Sequence, residues 1–149
     1  MQEANNVALI TVREATSFSQ AQSKVEIAGI ATNIIVPGLV LEAAVEIDAC
    51  HSLLFLTDDI IFEEWLTMVL IDINHGVKEI VRIGQAWASG HFEKLSVNEE
   101  EITFRFLGDG EWRVKISLTA RLRFPFFADP PAVHRAPGWK KYLTVDCVK

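Results

Sequence analysis

From about residue 39 to about residue 124 the chain alternates apolar and polar side chains with a period of two. That period sends successive side chains to opposite faces of a β-strand. The clearest stretch is Ile102 to Leu107, then Gly108-Asp109-Gly110, then Glu111 to Leu118. A two-residue turn at Asp109-Gly110 would set Phe106 opposite Arg113 and Phe104 opposite Lys115, mixing charge and apolar surface on each face. A three-residue loop over 108–110 instead pairs Phe106 with Trp112, Phe104 with Val114 and Ile102 with Ile116. A one-residue slip turns a whole strand over, so the pattern predicts the three-residue loop, with Gly110 in the left-handed position.

The loops upstream keep the apolar face continuous in the same way. A loop at 98–101 pairs Val97 with Ile102 and Leu95 with Phe104. A loop at 88–90 pairs Ile83 with Leu95 and Val81 with Val97. A loop at 74–76 pairs Val69 with Val81, Ile73 with Val77 and, on the other face, Asp72 with Lys78. A loop at 48–50 pairs Val45 with Leu53 and Ala43 with Phe55. Further strands are expected at 7–13, 24–36 and 140–147. The three prolines of residues 128–138 mark a loop, because proline cannot donate to a ladder. The expectation is a single all-β domain over residues 1–149. Its antiparallel meander closes into a barrel or, alternatively, folds as a β-sandwich. At most one short helix is expected, in the connection from Thr57 to Glu64.

This register assigns neighbours. Plain aliphatic rows give way at one end to Trp65, Gln85, Glu93, Phe106 and Trp112, with Trp87 opposite His91. Aromatic walls with a few polar groups suit a small apolar or aromatic ligand, so these seven residues are the expected ligand site at a barrel end. On the outer face Lys94, Arg105 and Arg113 fall in one row, and Arg82 and Lys115 in the next beside Ser96 and Thr103. Like charges placed opposite each other cost stability. The alternative expectation is therefore a protein-interaction module that docks an acidic partner on this face.

Composition narrows the field. Half of the 149 residues are hydrophobic and 23% are charged, which argues against disorder. The mean hydropathy of +0.21 points to an unusually apolar interior or to apolar surface that meets a partner. A homo-oligomer, most simply a symmetric dimer, is expected. The net charge of −6 weighs against nucleic acid. It is unevenly spread: residues 1–76 carry two basic side chains against eleven acidic ones, and residues 77–149 carry twelve against nine.

No secretory signal is evident at the N-terminus, and the longest apolar run, Ile27 to Leu41, is broken by Thr32, Asn33, Pro37 and Gly38. A cytoplasmic protein away from the membrane is expected, with Cys50 and Cys147 reduced. The four histidines show no metal-ligand spacing, the acidic stretch Asp58 to Glu64 matches no calcium loop, and no phosphate loop or serine elbow is present. No catalytic residue, metal or cofactor is assigned, and the expected function is non-enzymatic binding.

Overall fold

A computed structural model describes residues 1–60, 62–122 and 129–148. They form thirteen strands: β1 (Gln2–Ala4), β2 (Val7–Arg13), β3 (Gln22–Ile27), β4 (Ile30–Pro37), β5 (Val40–Glu46), β6 (His51–Thr57), β7 (Leu66–Asp72), β8 (Gly76–Ile83), β9 (Glu93–Val97), β10 (Ile102–Arg105), β11 (Glu111–Leu122), β12 (Val133–Arg135) and β13 (Lys140–Val148). No helix occurs among the described residues, so none is long and apolar enough to cross a membrane. The described part of the connection from Thr57 to Glu64, which leaves out Ile61, holds no helix, within the expectation of at most one.

All strand pairs are antiparallel, in three sheets. The six-stranded sheet runs β1-β5-β6-β7-β8-β12, the four-stranded sheet β13-β11-β10-β9, and the small sheet β2-β3-β4. The expected barrel is not found: among the described residues no ladder closes a sheet on itself.

Two apolar layers flank the six-stranded sheet, in a sandwich-like arrangement. One joins Leu53, Phe55, Met68 and Val81 to Ile102, Phe104, Val114 and Leu143 of the four-stranded sheet. The other joins Leu54, Leu56, Val69 and Ile71 to Val25, Ile34 and Val36 of the small sheet. β7 is therefore covered on both sides, and every one of its residues is buried. Fully burying an aliphatic side chain contributes about 1.5–3 kcal/mol, so this central strand is where the fold gains most per residue.

The hairpin at 48–50 forms in the expected register, with Val45 opposite Leu53 and Ala43 opposite Phe55. Val97 lies opposite Ile102 as expected, but an irregularity follows between Thr103 and Arg105, so Leu95 loses Phe104 as its rung partner. Lys94 absorbs the extra residue with φ 56.

Elsewhere the register differs. β10 and β11 keep the expected faces but slip by two, placing Phe104 opposite Trp112 and Ile102 opposite Val114. A period of two is blind to a slip of two. The connection spans 106–110, and the left-handed glycine is Gly108 (φ 73) rather than Gly110. In β7–β8, Val69 faces Ile80 and Val81 faces Met68, one residue from expectation. β7 is apolar on both sides and offers no polar face to fix the register.

The largest correction concerns β8 and β9, which do not pair. The free edge of β8 is taken by β12, a three-residue strand inside the proline-rich stretch, with Val133 opposite Ile83 and Arg135 opposite Val81. Alternation decides which face a side chain takes, not which strand lies alongside. Residues 84–92 instead cross from one sheet to the other.

Candidate functional site

The crossover is fixed at several points. Gly84 lies under the Trp65 indole, where an added Cβ would come within 2.1 Å of the ring. Gly90 lies against Phe106, with a corresponding approach of 2.2 Å. The Glu64 N–H donates to Ser89 Oγ (3.0 Å), and the Glu64 carbonyl accepts from the Gly90 N–H (3.2 Å). The His91 N–H donates to the Phe106 carbonyl (3.0 Å). Between these anchors the Ala88 N–H reaches back to the Gln85 carbonyl (3.3 Å), closing a tight turn. Trp87 sits at its tip with φ 63 and is 94% exposed.

The acidic loop packs beside the crossover. The Glu64 carboxylate accepts the backbone N–H groups of Asp58, Asp59 and Ile60 at 3.1, 2.9 and 3.3 Å. Burial pushes its pKa above the usual carboxylate range, against the lowering effect of those donors. Phe62, two residues away, is 85% exposed.

The seven expected ligand residues all belong to this end, but they do not share one pocket. Phe106 and Trp112 are core residues. Trp65 stacks on His134 at 4.7 Å between ring centroids, and the Arg82 guanidinium lies 4.8 Å from its ring. Gln85, Trp87, His91 and Glu93 are exposed. The three indoles at this end therefore have three different surroundings: core, cation stack and solvent.

A cleft of about 820 Å³ does open here. Its walls are Gln85, Ala88 and Ser89 of the crossover, Leu107 to Gly110, Pro130 to Ala132, Trp112 and Cys147. Two of the seven expected residues, Gln85 and Trp112, line it. The Trp112 indole N–H is buried without a hydrogen-bond partner.

The expected basic face also divides. Lys94, Arg105, Arg113 and Lys115 lie in the four-stranded sheet, but acids interleave them. Arg105 is opposite Glu93, and Arg113 is opposite Asp146 with Glu111 at 3.9 Å. Arg82 lies in the six-stranded sheet, 3.9 Å from Asp58. Burial there lowers its pKa from the usual arginine value, and the nearby Asp58 charge acts the other way. Asp58 Oδ1 and Arg82 Nε are both buried and unpartnered, while Asp58 Oδ2 accepts from Gln20 (2.9 Å).

Alternation also passed over the far end of the sheet. There His51 contacts Asp48 through Nδ1 (2.9 Å) and Asp72 through Nε2 (3.3 Å), and Asp72 also meets His75 (3.1 Å). Backbone N–H donors from Cys50 and Asn74 lead the downward pKa shifts of Asp48 and Asp72 respectively. The signal was present as a repeated Asp-x-x-His spacing in two turns, Asp48 to His51 and Asp72 to His75.

No protein-family model, curated protein or solved structure matches the chain.

Proposed function

We propose that this chain is a non-enzymatic binding domain that docks a partner protein on the crossover end. Trp87 is the anchoring side chain, and the cleft walled by Gln85, Leu107 and Trp112 receives an apolar or aromatic group of the partner. The observation that carries this reading is the exposed, left-handed Trp87.

Within the free chain the indole contributes no burial and sits on a strained backbone position. Full exposure forgoes roughly 1.5–3 kcal/mol of burial, and a non-glycine residue in the left-handed region costs on the order of 1–3 kcal/mol. Departures of this kind collect at binding sites. The turn beneath Trp87 is tied to Glu64 and Phe106, so docking orders little further backbone. Tryptophan is also among the residues that dominate binding energies at protein interfaces.

N-acetyl-tryptophanamide, as a stand-in for a partner's aromatic side chain, tests this by NMR titration. The expected result is a set of shifts confined to the cleft walls Gln85, Ala88, Ser89 and Leu107–Gly110. Shifts elsewhere, or none at millimolar amide, overturn the reading.

A further inference from the structure

We propose that the partner docked on this end is a second copy of the chain, presented through the far part of the β11–β13 ladder. This rests on the crossover end being a docking surface.

β10 meets β11 no further along than Val114, opposite Ile102. Past Ile116 opposite Leu143 the register shifts, and β11 and β13 continue as a two-stranded ribbon. There Arg121 faces Lys141 directly and Leu122 faces Lys140. Two cations across one rung repel each other, a cost that an acidic partner would relieve. None of the three cations has an ion pair among the described residues. The ribbon also exposes apolar groups: Leu122 at 63% beside Lys140 on the face opposite Arg121 and Lys141, with Leu118 at 43% and Trp139 at 76% near them in the chain.

The crossover end is the complement. Its exposed apolar groups are Trp87, Phe62 and Ile60, and the nearest charges along the acidic loop are Asp59 and Glu63. Basic with apolar thus meets acidic with apolar, and the same asymmetry appears in the charge of the two halves of the chain.

The ribbon cannot reach the crossover end of its own molecule. Leu143 accepts from Arg135 and donates to Glu79, and Lys78 lies 5.8 Å from the Tyr142 ring. Lys140 and Lys141 thus sit level with the start of β8, while the crossover leaves its end. The eight residues of β8 span about 25 Å. Contact between two different patches is head-to-tail, so it builds an open chain or a ring rather than a two-fold dimer.

Sedimentation equilibrium with complementary variants tests this. The wild type is expected to associate with rising concentration, and to weaken at least about tenfold in 0.5 M salt because the contact is partly ionic. Arg121→Glu/Lys141→Glu alone and Trp87→Gly alone are each expected to be monomeric. An equimolar mixture of the two should give a one-to-one dimer and nothing larger, since each retains one working patch.

A wild type that stays monomeric at millimolar concentration overturns the proposal. So does a mixture that stays monomeric, or either variant associating as well as the wild type. If self-association fails while N-acetyl-tryptophanamide still shifts Gln85 and Leu107–Gly110, the docking end stands and the second copy is excluded. Loss of the amide shifts with assembly intact removes the cleft instead. The salt response needs no variant, so a misfolded variant does not leave the test undecided.

Discussion

Arg82 and Arg135 stand on adjacent rungs of the β8–β12 ladder and project to opposite faces of the six-stranded sheet. Every nitrogen of the Arg135 guanidinium has a partner. Its Nε and Nη2 hold Asp129 at 2.7 and 3.2 Å, Nη1 holds Glu79 at 3.1 Å, and Nη2 also reaches the Leu143 carbonyl at 2.6 Å. Glu79 in turn takes the N–H groups of Tyr142 and Leu143, so one buried cation ties the six-stranded sheet to the four-stranded one. Arg82 keeps a loose contact with Asp58, a stack on Trp65 and an unpartnered Nε, with its side chain 32% exposed against 4% for Arg135. The difference separates two uses of one residue type. A buried charge that holds sheets together is satisfied on every side. At the open end of the molecule, polar and aromatic groups are left incomplete, and Trp87 is the extreme case.

Substitutions at the two arginines sharpen this contrast most. Arg135→Met should destabilise by about 3–5 kcal/mol in urea unfolding, because Glu79 and Asp129 lose their shared cation. A loss below about 1 kcal/mol would mean that the clamp is dispensable.

Gly84→Ala comes next. The added methyl displaces the Trp65 indole from its seat between Arg82 and His134, at an expected cost of about 1–3 kcal/mol and with a change in Trp65 fluorescence. Arg82→Met should cost only about 1 kcal/mol, since the replacement keeps the stack on Trp65 while Asp58 retains Gln20. If Arg82→Met unfolds the protein as readily as Arg135→Met, the two arginines are equivalent and the comparison collapses.

The parts of the fold legible in the sequence are those where polar residues punctuate apolar ones. Asp48 to Cys50 marks the β5–β6 hairpin, and its register follows from the residues on either side. β7 defeats the same logic because Thr67, Val69 and Ile71 are as buried as Leu66, Met68 and Leu70. The slip of two between β10 and β11 leaves every face unchanged and so leaves no trace in the pattern. The crossover was hidden because the rule that neighbours in sequence are neighbours in the sheet fails at Gly84, where close packing under Trp65 replaces a hairpin.

The candidate site was half legible for the same reason. Period two gathered Trp65, Gln85, Trp87, Phe106 and Trp112 toward one end. It could not show that Trp87 leaves the strand altogether, or that Arg82 joins Trp65 rather than the row of Lys115. The Asp-x-x-His turns and the Arg135 clamp depend on contacts between strands distant in sequence or on side chains in turns, which alternation does not address.

If the Trp87 indole serves a partner and not the fold, as proposed, its removal leaves the free protein intact. The unfolding free energy of Trp87→Gly measures this directly, because glycine accepts a φ of 63 without strain. The free protein is expected to be unchanged or to gain up to about 1 kcal/mol when the indole is removed. A loss of about 2 kcal/mol or more, the cost of removing a packed side chain, would show that Trp87 belongs to the core and that no partner is needed to explain it.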